Sequence, residues 1–333
     1  TGIRRRALDI KMKSWERVEA DCRRKMALRH LSIKTEKSYL SWIKRYYFWL
    51  IENKPTGEAA NKMEAFLTYL AVDGKVSAST QNQAFNALLF LYRRVIEVEL
   101  GEVNSLRAKT PIFIRDCPTP KQMAAILKEV RDANGYPIRL LCGLLYGCGL
   151  RVSEPLDLRV KDVRLNDRRL ILRACKGGKD RMVRLPDRLC DLMAVQLRAA
   201  RGKWEFDHHN QLPVTLPNAY GRKDPSAARS WEWYWVFPQH KPCKHPRTGE
   251  IVRFHLHEAN IQREVRRAKK AAGISARITP HNFRHAYATH CLDSGSNIHD
   301  VCEAMGHKCI ETTKLYLHPA PERVPSPLDE LAI

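Results

Sequence analysis

Downstream of residue 140, four short stretches of this 333-residue chain carry side chains suited to a phosphodiester. In Tyr146-Gly147-Cys148-Gly149-Leu150-Arg151-Val152-Ser153-Glu154 an apolar helix ends at glycine, and Arg151 is presented just before a further helix capped by Ser153. Lys176-Gly177-Gly178-Lys179 reads as a hairpin tip, a pattern equally common in plain surface turns. In Thr279-Pro280-His281-Asn282-Phe283-Arg284, Thr279 and Pro280 start a helix, and His281 and Arg284 share one face. Met305-Gly306-His307-Lys308 puts His307 in a turn, and Tyr316 follows on a short helix over 310–317. A tyrosine is a weak nucleophile at its free pKa near ~10, so attack on phosphorus needs a site that favours phenolate character and neutralises the phosphorane. Two guanidiniums and two imidazoles supply that without a metal, the guanidinium fork matching a pair of non-bridging oxygens. Each stretch alone is commonplace, and a lone His in a turn or Tyr on a helix is more often structural.

The elements that must hold these groups are legible in the periodicity. Residues 12–100 read as four helices, with apolar repeats at Tyr39, Ile43, Tyr46 and Leu50, at Met63, Phe66, Leu67 and Leu70, and at Phe85, Leu88, Leu89, Tyr92, Val95 and Ile96. Asn53-Lys54-Pro55-Thr56-Gly57 and Asp73-Gly74 interrupt them, and Ser77 or Ser79 is available as a cap. The expectation is a helical bundle over 12–102, then a linker over 103–118 where periodicity lapses around Pro111 and Pro118. A second domain spans 119–333, opening at Thr119-Pro120, with helices near 120–131, 136–148, 187–201, 257–272, 281–294 and 297–305 and strands at Arg169–Arg173 and Arg181–Leu185. The fold class is therefore mainly α with a small β-sheet.

The 58 Lys and Arg against 36 Asp and Glu leave a net charge of +22, which calls for a polyanionic partner, DNA or RNA first. A basic balance alone would also suit a ribosome-associated or anionic-membrane protein. A hydrophobic content of 44% excludes disorder and is enough for about two domains at roughly 100–200 residues each. No apolar run reaches the ~18 residues of a membrane span, and no apolar segment follows Thr1-Gly2-Ile3-Arg4-Arg5-Arg6 as a secretory signal would require. A cytoplasmic, nucleoid-associated protein with no membrane partner is expected. The ten cysteines include no CxxC pair and sit mostly in apolar stretches, so reduced thiols are expected. Cys243-Lys244-His245, with His255 and His257 beyond, lacks the two close pairs of a structural zinc site.

Taken in order, Arg151, Lys176, His281-x-x-Arg284, Gly306-His307 and Tyr316 resemble the tyrosine recombinases, over the stretch from about Thr119 to the end. The bundle and linker before it resemble that family's SAM-like core-binding domain. The resemblance implies a catalytic set of Arg151, Lys176, His281, Arg284, His307 and Tyr316. Tyr316 would be the nucleophile and Arg151 and Arg284 would hold the non-bridging oxygens. His281 would act as base or shuttle, His307 would donate to a phosphate oxygen, and Lys176 would protonate the leaving 5′ oxygen, with Lys179 as the rival acid. It further implies a 3′-phosphotyrosyl intermediate, a homotetramer on two DNA sites, and no cofactor. The absence of a GxxxxGK[ST] loop agrees that ATP is not used. A tail over 319–333, proline-rich and then apolar, would dock on a neighbouring protomer or on its own domain.

Residues 202–255 exceed what that pattern needs and hold Trp204, Trp231, Trp233 and Trp235. The insertion is similar to the extra element of integron integrases, which implies recombination of cassette sites that act as folded single strands with extrahelical bases. Trp233, Pro246 and His255 would form the base clamp, with Phe254 and His257 as weaker candidates, since base–aromatic stacking contributes ~1–3 kcal/mol per base. Alternation of Trp231, Trp233 and Trp235 equally fits a strand with one buried face. The rival functions are a phage-type or Xer-type recombinase acting on duplex sites, a type IB topoisomerase-like enzyme, and a non-catalytic DNA-binding protein.

Overall fold

The computed structural model describes residues 14–101, 103, 108, 117–173, 180–217, 220–307, 309 and 313. Lys176, Lys179, Tyr316, the helix expected over 310–317 except Thr313, the 319–333 tail and most of the linker lie outside them. The chain divides into two compact units, at residues 114 and 115.

The first unit is helical: α1 (Trp15–Leu28), α2 (Ile33–Asn53), α3 (Ala59–Val72) and α4 (Ala78–Phe90), which continues as six π-helical residues, Leu91–Ile96. Ser32 and Ser77 start α2 and α4 by accepting from the N–H of Thr35 and Thr80, each satisfying a donor that the first helical turn leaves unpaired. The apolar stripes meet in a core of Ile43, Tyr46, Met63, Phe66, Phe85 and Leu88, each such side chain contributing ~1.5–3 kcal/mol when fully buried. Tyr46 and Tyr92 are buried in it because their hydroxyls satisfy each other at 2.7 Å.

The second unit holds α5 (Pro120–Glu129), α6 (Ile138–Gly147), β1 (Val163–Arg164), β2 (Arg169–Leu172), β3 (Arg181–Arg184), α7 (Asp187–His209), the single turn α8 (Tyr220–Lys223), β4 (Cys243–Lys244), β5 (Ile251–Val252), α9 (Ala259–Ala271), α10 (Pro280–Asp293) and α11 (Ile298–Met305). β1, β2 and β3 form an antiparallel sheet with Val163 opposite Leu170 and Leu170 opposite Val183; β4 and β5 form a separate hairpin. α6 lies at the centre of the core, its buried Leu140, Leu141, Leu144 and Leu145 packed with Leu170 and Val183 of the sheet, Val265 of α9 and Phe283 of α10.

Three expectations are corrected. No helix begins at Ser153: residues 152–157 are turns, and from Leu158 the backbone instead pairs with the tryptophan segment, through Val236 N–H to Leu158 O (3.0 Å) and Val160 N–H to Tyr234 O (3.0 Å). That same pairing breaks the expected alternation. Tyr234, Trp235, Val236 and Phe237 are buried in succession, and the segment is a run of turns with isolated bridges at Trp235 and Pro238. α7 passes through Gly202 to His209, eight residues beyond its expected end, because its last turns are held from outside. Trp204 Nε1–H donates to Arg229 O (2.9 Å), and buried Asp207 accepts two bonds from Arg253 (2.5 and 2.6 Å) and one from Tyr234 (2.5 Å).

Candidate active site

The segment leaving α6 turns sharply at Gly149, whose φ of +61° is a left-handed conformation suited to glycine. A Cβ there would also lie 2.4 Å from the Tyr287 ring on α10. This close approach brings the Gly149 carbonyl to Arg284, which donates to it at 2.7 Å, and delivers Arg151 two residues later to the same place. Arg151 binds Glu154 through its Nη1 (2.7 Å) and its backbone N–H (2.8 Å).

Arg284 enters from α10. Pro280 occupies the first helical position and Thr279 N–H donates to Asn282 Oδ1 (2.9 Å), so the helix start is fixed. The far end is held by His290, which donates through Nε2–H to Pro118 O (3.0 Å) and accepts at Nδ1 from the Tyr146 hydroxyl (2.8 Å). Arg284 itself is 1% exposed and is aimed by two carbonyls, Gly149 O and Met305 O (2.6 Å). α11 ends at Gly306, φ +62°, a left-handed stop that turns His307 back toward Arg284. A guanidinium only donates, so His307 Nε2 accepts from Arg284 Nη2 (3.0 Å); the ring proton is then on Nδ1, facing Thr313 Oγ1 at 2.8 Å.

A third guanidinium joins from β3. Arg181 is held by both oxygens of Glu154 (2.9 and 2.7 Å) and by Ala304 O (2.9 Å). Glu154 thus faces three arginines, with Arg284 Nη1 at 3.8 Å. Burial alone would push its carboxyl up, but the hydrogen bonds and charge of Arg181, reinforced by Arg151, bring it down to about 2. Three fixed cations and one carboxylate leave two surplus positive charges at the cluster. His307 responds: burial first, then the charges of Arg284, Arg151 and Arg181, lower its pKa to about 4, so it is neutral at pH 7.

Of the sequence-derived set, Arg151, Arg284 and His307 therefore converge. His281 stands one turn before Arg284 at the exposed start of α10, its ring edge-on to His285 at 4.8 Å. Among the described residues no group of His, Cys, Asp and Glu is placed to hold a metal ion, and no helix is long and apolar enough to cross a membrane.

Residues 118–323 match the phage integrase family, and residues 20–102 match the phage integrase N-terminal SAM-like domain. The chain belongs to the phage integrase family. It is a tyrosine recombinase, a DNA strand-transferring enzyme of site-specific recombination. Its relatives include an integrase/recombinase of Escherichia coli, 38% identical over 309 residues that cover 91% of this chain and 90% of the relative. The tyrosine recombinase XerA of Thermococcus kodakarensis is 27% identical over 85% of this chain and 83% of its own. Among solved structures, XerH bound to palindromic difH substrate in a post-cleavage complex shares the fold with a TM-score of 0.59 at 18% identity, over 95% of this chain and 83% of that one. A lambda integrase tetramer bound to a Holliday junction does so at 0.56 and 18%, over 91% and 76%.

Sequence reasoning about the recombinase passed over Arg181 and Glu154. The signal was present: Arg181 shares the inward face of β3 with Val183, and an arginine on an inward face needs a buried anion, which Glu154 supplies. Around residues 202–255 the recombinase holds its aromatic side chains in two sets. Trp235 is buried, with Arg159 over its ring (3.1 Å) and His255 edge-on (5.0 Å). Trp233 is half-buried, with the Lys161 ammonium 2.8 Å from its ring centroid and exposed Tyr220 at 4.6 Å. His255 meets Phe254 (4.7 Å) and has Asp157 3.5 Å from its Nε2, whereas Pro246 lies in the turn joining β4 and β5. Trp233 and His255 thus have different ring partners, and Tyr220 and Lys161 are additional neighbours that sequence spacing did not mark.

Proposed function

We propose that this tyrosine recombinase is an integron-type integrase that captures and excises gene cassettes at folded single-stranded sites, as a homotetramer on two sites. The catalytic part of this reading rests on the convergence of Arg151, Arg181, Arg284 and His307 around a single carboxylate. That cluster has the charge to hold a phosphodiester and the surplus to stabilise the extra negative charge of its phosphorane, where each such donor is worth on the order of 10²–10³ in rate. Arg151 and Arg284 hold the non-bridging oxygens. The Tyr316 oxygen forms the new bond to phosphorus, with His281 as base or proton shuttle, and the 5′ oxygen leaves with a proton from Lys176. The bond energy is kept in the 3′-phosphotyrosyl link, and the 5′-hydroxyl of a partner strand reverses the step. His307 is neutral and accepts from Arg284 without DNA. A bound phosphate adds negative charge, raises its pKa and makes it a donor to a phosphate oxygen.

The integron-type part is supported by Trp233. A half-buried indole bordered by Lys161 and Tyr220 offers an extrahelical base a stacking face beside a cation, and Pro246 and His255 remain the proposed companions of the clamp. A Xer-type reading, with action on duplex sites only, draws on the relatives that bear that name. The deciding experiment incubates the full chain with labelled duplex and folded single-strand cassette ends and looks for covalent adduct. Adduct on the folded strand, lost in Tyr316→Phe, is expected. Adduct on duplex alone refutes the integron-type reading, and adduct persisting in Tyr316→Phe refutes the nucleophile.

A further inference from the structure

α7 buries Met193, Gln196, Ala200 and Asp207 on one face. On an adjoining face Leu192, Val195 and Phe206 are 42%, 54% and 65% exposed, and Ala199 and Gly202 between them are exposed as well. At 100° per residue these five fall within an arc of roughly 80°, and their spacing of three, four, three and four is that of a coiled-coil seam. Gly202 sharpens the point. Glycine disfavours a helix interior, and among the described residues nothing lies within 4 Å of where its Cβ would be, so their packing does not require it. Beside Ala199 it leaves a shallow notch at the middle of the stripe, where another helix backbone could approach closely.

The charges bordering the stripe select the occupant. Asp191, Arg198 and Glu205, all exposed, run along one edge seven residues apart. In an antiparallel pair, equivalent edges of the two helices face each other. Setting Ala199 against Gly202 of the partner subunit then sets Val195 against Phe206 of the partner subunit and Arg198 opposite Glu205 of the partner subunit. Two-fold symmetry gives each contact twice. Glu205 already pairs with Arg201 (3.0 Å) on its own helix, and in this register Arg198 of the partner subunit would approach the same carboxylate from across the seam. We propose that α7 is a self-association surface, on which a second copy of this chain docks its own α7 antiparallel, centred on Ala199 and Gly202, without DNA.

Sedimentation velocity of the full DNA-free chain, from about 1 to about 100 µM, tests this against the affinity range of a small interface. Concentration-dependent dimer is expected, weakened at least about tenfold by Val195→Glu and by Arg198→Glu, and restored when Arg198→Glu is combined with Glu205→Arg. Val195 is exposed and outside the phosphate cluster, so Val195→Glu should keep wild-type adduct formation on DNA, which shows that it is folded. A wild-type chain that stays monomeric, dimerisation unchanged in folded Val195→Glu, or a double charge swap that fails to restore it would each overturn the proposal.

Discussion

Glu154→Gln separates a charge-organised phosphate site from a merely packed one. The carboxylate is 8% exposed, and a carboxyl held at about 2 instead of 4.5 corresponds to about 3 kcal/mol of folding free energy at neutral pH. A carboxyl with a lowered pKa contributes above its unfolded value and loses that contribution as the pH falls toward 2, so the full amount is present at both pH 7 and pH 5. Glutamine keeps the volume, removes the charge, and leaves Arg151, Arg181 and Arg284 without their shared anion. Urea unfolding followed by hydrogen exchange in peptides from α6 and α10 should show a midpoint lower by about 1 M or more at both pH values. Added sulfate should recover more stability in Glu154→Gln than in the wild type, because it replaces the missing anion. An unchanged midpoint, or an equal response to sulfate, would refute the electrostatic account.

His307 should titrate with a midpoint near 4 in the DNA-free chain, measured by NMR against His307→Gln, and move upward when a scissile-phosphate site is bound; a DNA-free midpoint at 6.5 contradicts both its burial and the field of the arginines. Because the folded state holds this imidazole neutral, its contribution to stability is present above pH 6.5 and is lost as the pH falls toward 4. Gly149→Ala puts a Cβ into the Tyr287 ring at a left-handed φ and should cost about 2 kcal/mol or more, read as a lowered unfolding midpoint. Trp233→Ala should reduce recombination of folded single-strand sites more than of duplex sites, and equal loss on both would remove the stacking role.

The groups that sequence order reached are those whose neighbours constrain them locally. Gly149 before Arg151, Pro280 before Arg284 and Gly306 before His307 each mark a forced turn or helix start, so the functional side chain could be placed from its own few residues. Arg181 and Glu154 depend on each other across 27 positions, so the strand alternation that turns Arg181 inward calls for a buried anion without saying which residue supplies it. The same contrast holds for the fold. The stripes of α2 to α4 follow from periodicity, but β1 has only two residues and exists because Val163 finds Leu170. The turns after Ser153 replace a helix because the tryptophan segment competes for the backbone of residues 158–160. Tertiary pairing decides such short elements, and propensity has little say in them.

The buried Asp207 with its partners Tyr234 and Arg253 bears on how the recombinase meets its substrate. Arg253 also donates to the carbonyls of Gln239 and His240, so one carboxylate joins the end of α7, the tryptophan segment and the β5 strand exit before any ligand arrives. The residues tied in this way have given up their conformational freedom during folding. On the proposed function, a base stacked on Trp233 beside these residues would meet a preorganised surface, and its association should carry little of the entropy loss and heat-capacity change that accompany coupled folding. Discrimination between sites would then rest on how readily each DNA extrudes its base, with the deformability of the nucleic acid acting as the selective variable.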